Sequence, residues 1–577
     1  MATFRYHALS IVTLIFAGFV TYYGGLTGPF VFDDLSNILQ APAVALTHLD
    51  LERLLGVVRN EDGEWLRRPL ARLSFALNYY QAGLQFDPFA FKLTNLVVHC
   101  VCGVLMYILV YQLVRLREQD TSTSVVPGRP VLFAFVVASL WLIHPVQLTS
   151  VLYVVQRMTS LSAMFVLAGL VLFTVGRQRL STGDKGAWRL ILSGLVMGIV
   201  LGGSCKEIAI LTPLFALAID WFFFDLKKLP NRERRKLMLG YGLAMATIVG
   251  LACYWLWSGF DLVVSIYSIR EFNPVDRMLT QSRVLLFYLY LILFPDPRSF
   301  GLFHDDFSLS SGLFEPVTTA MSVLAWLGIL TVTFRAAIRR QLWAFGLVWY
   351  LIGHSIESTV LGLEMIHEHR NYLPSFGVVF SFVWVVWCYF PIVVRSKSLR
   401  MVCVVMLAAT MVFVTWSRVG NWSDRLVLAQ SWVKNHPDSY RSLESLAFAY
   451  RERGDPMTLV YDTYNRASAK DHTQVLPLVE MAKMLRALTL STLEMPSQHV
   501  GQVSITTEPL IFDRHWLAGA AAALDAEIER RLREYPLSPG TLIALFNLFV
   551  CDQEGDIVCR SLSSASLTCI LSLSTSE

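Results

Sequence analysis

The sequence predicts an all-α polytopic membrane protein that ends in a helical domain, and three observations carry that prediction. Of 577 residues, 54% are hydrophobic and 16% charged, and the mean hydropathy is +0.50. Soluble chains carry roughly 25% charged residues. Apolar runs alternate with basic clusters, and beyond Thr415 the apolar runs give way to amphipathic stretches. The net charge of +4 is small and leaves no nucleic-acid footprint. Nine cysteines form neither a Cys-x-x-Cys pair nor a Cys/His metal spacing, which argues against a zinc module or a redox motif.

The elements follow in order. Residues 8–23 form a first apolar run after Arg5 and His7. Thr21-Tyr22-Tyr23-Gly24-Gly25 makes a poor small-x-small cleavage site, so this run reads as an uncleaved span. A polar loop follows, to Phe91. Within it Leu51, Leu54, Leu55 and Val58 repeat at helical spacing, which predicts a short helix lying at the membrane surface. Further spans are expected at 93–113, 131–143, 158–175, 190–201, 208–224, 237–257, 317–334, 342–356, 376–394 and 401–415.

Basic clusters at Arg115/Arg117, Arg177–Arg189, Lys227–Lys236, Arg335–Arg340 and Arg395–Arg400 fall on alternate loops. The positive-inside rule puts all five in the cytoplasm with the amino terminus. The loop after the first span and the carboxyl terminus then share the opposite face. Residues 284–294 are apolar but flanked by outside loops, so they read as a re-entrant half-span closed by Pro295-Asp296-Pro297. The expectation is eleven spans plus this element.

Beyond the spans, residues 442–469 place a Gly-Asp-Pro turn between two helices with alternating small and large apolar positions, as in a tetratricopeptide (TPR) hairpin. Helical stretches at 473–490, 516–535 and 541–551 should pack with it, because one hairpin cannot bury its own face. Cys551 and Cys559 are candidates for a disulfide if this domain is extracytoplasmic. The Ser/Leu-rich tail, 561–577, is unassigned.

Six polar clusters fall on the outer face in this topology: Asp33/Asp34, Arg67-Arg68-Pro69, His144 with Gln156-Arg157, Lys206-Glu207, His304-Asp305-Asp306, and His367-Glu368-His369-Arg370. Each alone has a plain structural reading as a solvated turn, a headgroup anchor or a capping ion pair. Together they gather acids and cations at one interface, where charge near lipid is costly. That suits a lipid-linked phosphate donor: Arg and Lys clamp the phosphate and stabilise the leaving group. One carboxylate then accepts the proton of an acceptor hydroxyl. The second acid can orient the first or hold a divalent cation, magnesium or manganese.

Residues 65–70 (Trp-Leu-Arg-Arg-Pro-Leu), then Leu73-Ser74-Phe75, Leu77-Asn78-Tyr79, Asn95 and His99, resemble the first-loop signature of the TMTC family. These are transmembrane, TPR-bearing O-mannosyltransferases of the GT-C superfamily. The resemblance includes Phe-Val-Phe-Asp-Asp at 30–34 and continues through 144–165, 205–210 and 368–377 to Asn421-Trp422-Ser423-Asp424, about 430 residues in order. It implies a GT-C fold over 1–415, a catalytic first extracytoplasmic loop at 26–91, and a TPR-like domain over 416–560. It also implies a polyprenyl-phosphate-linked sugar donor and inverting transfer.

By motif, Asp33 matches the catalytic acid, with Asp34 beside it. Arg68, Arg157, Lys206 and Arg370 match positions that handle phosphate. His144, Glu207, Glu368 and His369 match polar positions of unspecified role. Where the family tends to read His-Pro-Val-His-Thr-Glu, this chain has Gln147 and Thr149, which removes a histidine and an acid.

Short loops point to a bacterial inner membrane with a periplasmic active site and C-terminal domain, and by analogy to a pilin-like acceptor bound through the TPR-like helices. The alternatives are the same donor chemistry on a glycan or lipid A acceptor, a flippase or transporter, and a TPR scaffold. A transporter should show weak internal repeats, and none is visible.

Overall fold

Helices account for every regular element in the computed structural model, which describes residues 2–59, 67–120, 130–258, 266–267, 270–493 and 514–535. Among the described residues, six helices are long and apolar enough to cross a membrane: Phe4–Gly25, Pro88–Glu118, Val154–Ser181, Val317–Ile338, Pro374–Val393 and Lys397–Asn421. Pro130–Leu142 and Pro145–Leu152, bent by 52° across the break at His144, make a seventh if counted together.

Of the other expected spans, residues 237–257 lie within one continuous 28-residue helix, Asn231–Ser258, and three are shorter or interrupted. Ala187–Leu201 and Leu342–His354 fall short of the roughly 20 residues a bilayer requires. The run at 208–224 splits into a 3-10 stretch, Glu207–Leu211, and a 12-residue helix, Thr212–Phe223.

Residues 284–293, within the expected half-span, form the second half of a 20-residue helix, Pro274–Leu293. Asn273 Oδ1 accepts from the amides of Val275 (2.8 Å) and Asp276 (3.0 Å), and Pro274 opens the first turn, so the helix begins well upstream of the apolar run. Within it, Gln281 Nε2 donates to the Met365 carbonyl at 2.9 Å.

The chain divides into two compact units. The first comprises Met1–Ser258, Met278–Leu302 and Ser310–Asp424; the second comprises Gly259–Arg277, Phe303–Leu309 and Arg425–Glu577. In the first unit, helix Pro88–Asp120 packs against Ala2–Tyr22, Pro130–Leu142 and Arg157–Ser181. Helices Leu342–His354 and Pro374–Val393 meet through Gly346 and Gly377. A Cβ on Gly346 would lie 1.9 Å from the Gly377 carbonyl oxygen, so only glycine permits this approach.

One group of buried polar side chains in this unit pairs across helices. His99 meets the Tyr372 hydroxyl (2.8 Å) and the Leu142 carbonyl (2.9 Å), and Trp141 Nε1 donates to the Tyr372 carbonyl at 3.0 Å. These bonds hold the segment after Leu342–His354 against the break at 143–144.

The helix expected in the first loop is Leu51–Val58, capped by Asp50, whose carboxylate accepts from the Arg53 amide at 2.9 Å. Its apolar face does not face lipid alone. Val57 and Val58 are buried with Leu46 and Ala76, and Leu54 packs against them, so the face closes on helix Pro69–Gln81.

In the second unit, Tyr440–Arg453 and Met457–Lys470 form a helical hairpin. Gly454, at φ +79°, ends the first helix in the left-handed conformation that favours glycine. Ala447, Val460, Tyr464, Met481 and Met484 form one shared core, and Val475, Val479, Ala482, Ile528 and Leu532 belong to a second. Helices Leu476–Leu493 and Arg514–Glu534 thus bury the face the hairpin leaves open. The helix at 541–551, the Cys551–Cys559 pairing and the tail lie outside the described residues.

Candidate functional site

The two first-loop acids are separated by burial. Just before them, Phe32 takes φ +45°, a left-handed conformation that is costly for an aromatic residue and turns the chain between Val31 and Asp33. Asp34 is fully buried, and both its carboxylate oxygens are engaged: Oδ2 accepts from the Val31 amide at 3.0 Å and Oδ1 from the Val155 amide at 2.7 Å. Asp33 is half-buried. Its amide donates to the Tyr153 hydroxyl at 3.0 Å, its carbonyl accepts from Asn37 Nδ2 at 3.0 Å, and its carboxylate bears on the same Tyr153 hydroxyl. Asp34 is therefore an inward strut, and Asp33 is the more accessible of the two acids.

Burial raises the Asp34 carboxyl to a pKa of about 7, against the lowering effect of its amide donors and of Lys92. An unfolded aspartate titrates near ~3.9, so between those values the folded state holds the extra proton. This stability contribution is fully present below about pH 4 and is lost as pH rises through about 7, at up to about 1.4 kcal/mol per unit of pKa difference. Melting curves from pH 5 to 8 should therefore show a declining component that Asp34→Asn removes. Parallel pH slopes for the two proteins would contradict the assignment.

The cations gather on a second set of loops. Arg68 adopts φ +58° immediately before Pro69, which opens helix Pro69–Gln81. Its guanidinium meets the Glu207 carboxylate at 2.8 Å, and Nη1 touches Met158 Sδ at 3.3 Å. Lys206 Nζ pairs with Glu357 Oε1 at 2.8 Å and donates to Thr159 Oγ1 at 3.0 Å. Arg370 Nη1 donates to the Met365 carbonyl at 3.1 Å, and its charge reaches both Lys206 and Glu357.

The protonation of these groups is set by the same neighbourhood. Burial, with Arg68 and Arg370 adding to it, lowers the Lys206 ammonium despite Glu357. Burial would raise Glu357, but Lys206 and Arg370 outweigh it and hold that carboxyl near about 2. Burial also raises Glu207, yet the Arg68 bond and charge leave it below the usual range. His369 stacks on His367 at 4.9 Å; burial and the charges of Lys206, His367, Arg370 and Arg68 keep it well below its ordinary value, hence neutral. Three cations against Glu207 and Glu357 leave one net positive charge.

One short segment joins the two sets. Tyr153 meets Asp33, Val155 meets Asp34, Met158 meets Arg68 and Thr159 meets Lys206. It consists of a 3-10 turn, Val154–Gln156, running into a helix from Arg157. At 1.5–2.0 Å rise per residue, the positions that meet Asp33 and Lys206, Tyr153 and Thr159, lie about 10 Å apart along this wall.

Three residues expected near the donor have other partners. Arg157 is fully buried and donates to Asn95 Oδ1 (2.6 Å), Asn78 Oδ1 (2.7 Å) and the carbonyls of Phe91 (2.8 Å) and Ser74 (3.0 Å), tying the first loop to the helices beneath it. His144 caps the turn Pro145–Gln147, accepting from the Val146 amide at 3.1 Å and meeting the Ile292 carbonyl at 2.8 Å. Glu368 is buried against Arg418 at 2.9 Å and accepts from the Gly301 amide at 2.8 Å. His304, Asp305 and Asp306 belong to the second unit.

Tyr153, Thr159 and Glu357 were absent from the sequence reading. Glu357 carried a usable signal, since an acid at the end of an apolar run needs a partner. A tyrosine and a threonine within apolar chain carry none.

Comparison with known proteins gives the same direction. The chain is similar to protein O-mannosyl-transferases. It is 23% identical over 458 residues to Caenorhabditis elegans protein O-mannosyl-transferase F38B6.6, covering 74% of this chain and 58% of that protein. It is 31% identical over 218 residues to Drosophila melanogaster Tmtc3, covering 34% and 22%. With human TMTC3 it shares 33% over 173 residues, covering 29% and 17%. No family model and no solved structure matches. The chain thus spans little more than half the length of the first of these relatives and a smaller part of the others.

Proposed function

We propose that the protein transfers a sugar from a polyprenyl-phosphate carrier to a Ser/Thr hydroxyl of an exported protein, in one inverting displacement. The observation that carries the proposal is the 153–159 wall, which has a half-buried acid at one end and a net-positive cluster at the other. Asp33 accepts the acceptor hydroxyl proton as its oxygen attacks the anomeric carbon. The bond from that carbon to the phosphate oxygen breaks, and its electron pair leaves on the phosphate.

A phosphodiester donor carries one negative charge and its phosphomonoester product approaches two, so charge grows where Arg68, Lys206 and Arg370 lie. Preorganised cations facing developing charge are usually the largest catalytic contribution. Glu207 and Glu357 hold Arg68 and Lys206 in place before the donor arrives. Asp34, fully buried with each oxygen accepting a backbone amide, positions the segment that carries Asp33.

The acceptor is assigned by analogy to a pilin-like periplasmic protein, with the second unit's helices as the surface that selects it. Intact masses of exported proteins from cells with and without this protein test the proposal. A discrete sugar-mass difference on one exported protein is expected. Unchanged protein masses with altered envelope glycan or lipid A would move the acceptor class, and no change in any of them would overturn glycosyl transfer.

A further inference from the structure

The second unit contains a cluster the sugar-transfer reading does not use. His304 and Asp306, on the short segment Phe303–Leu309, converge on His436, at the end of helix Arg425–Asn435. One ligand atom from each lies within 4.8 Å of the others. His436 Nδ1 is 2.9 Å from Asp306 Oδ2, and the His304 and His436 rings pack edge-on at 4.7 Å between centroids.

We propose that His304, Asp306 and His436 bind a divalent transition-metal ion of the zinc class. The 2.9 Å separation of His436 Nδ1 and Asp306 Oδ2 fits either an Nδ1–H donating to the carboxylate or a metal ion held between the two atoms. A proton satisfies Asp306 and His436 alone and does not explain the third ligand-type side chain at the same point. The 2.9 Å separation is also close to the edge of a tetrahedral site, about 3.3–3.5 Å for bonds of about 2.0–2.1 Å. An ion therefore enters with movements of a few tenths of an ångström at that edge and a modest rotation of His304.

Two imidazoles and one carboxylate favour zinc-like ions over magnesium or calcium, which prefer all-oxygen shells. The supporting contacts are already built. His436 caps the helix end through its amide, which donates to the Trp432 carbonyl at 2.7 Å. The neighbouring Asp305 accepts from Ser439 Oγ at 2.6 Å, fixing the segment that carries Asp306. Outer contacts of this kind orient ligands in metal sites. A bound ion would cross-link residues more than a hundred positions apart in sequence, and three protein ligands leave a fourth position open.

The test is a cobalt(II) titration of the full-length protein, purified in detergent and stripped with chelator, followed by zinc competition and elemental analysis. One equivalent of cobalt with the visible absorption of a tetrahedral ion is expected, displaced by one equivalent of zinc. Asp306→Asn, His304→Gln and His436→Gln should each weaken binding by about 10–100-fold or more. Failure of the wild-type protein to bind stoichiometrically, or affinity retained in all three variants, overturns the proposal. The wild-type titration does not depend on how the variants fold, and none of these readouts depends on sugar transfer.

Discussion

Asp33→Asn is expected to lower the rate of sugar transfer by about 10²–10⁴-fold, the usual contribution of a positioned general base, with little change in stability. The Asp33 backbone contacts, from its amide to Tyr153 and to its carbonyl from Asn37, do not involve the carboxylate and survive the substitution. Donor binding should survive as well, because the cations lie at the other end of the 153–159 wall. The measurement is single-turnover transfer with saturating donor, alongside a melting curve and a donor-affinity measurement. Full activity in Asp33→Asn would remove Asp33 from the mechanism. Loss accompanied by a large drop in melting temperature would make it structural, as the buried Asp34 is.

The largest stability effect is expected at Glu368. Its side chain is fully buried, both carboxylate oxygens accept from Arg418 Nη2 at 2.9 and 3.0 Å, and Oε1 also accepts from the Gly301 amide. Arg418 donates in turn to the Pro145 carbonyl at 2.6 Å and lies over the Phe300 ring at 3.9 Å, so one pair ties three segments of the first unit. Glu368→Ala leaves a buried guanidinium without its counter-charge, at a cost of about 3–5 kcal/mol. Replacing both partners with Glu368→Leu and Arg418→Met should be milder than the single change, because no isolated charge remains. Thermal melts of the three proteins check this. A Glu368→Ala protein that melts with the wild type would return Glu368 to the list of substrate-facing groups.

Both predictions separate residues that the sequence placed side by side. Asp33 and Asp34 are adjacent and chemically identical, and only the fold gives one two amide donors and leaves the other half-exposed. Glu368, His369 and Arg370 are consecutive in one 3-10 turn. Their side chains nevertheless diverge, one to Arg418, the others toward Lys206. A 3-10 turn separates successive side chains by roughly 120°, so neighbours in sequence face different partners.

The membrane class, the helical C-terminal unit and the convergence of Arg68, Lys206, Glu207 and Arg370 were legible from composition, period and motif order. They depend on local pattern and on the cost of charge near lipid, which a sequence displays directly. The length of the helix ending at Leu293, the inward role of Arg157 and the part played by Glu357 were decided by tertiary structure. Each depends on which polar group a buried side chain finds across the fold. Asn273 extends one helix past its apolar run, Asn78 and Asn95 hold Arg157, and Lys206 draws in an acid 151 residues away in sequence (357 − 206). A buried charge is tolerated only where a partner meets it, and the sequence names the charge without naming the partner.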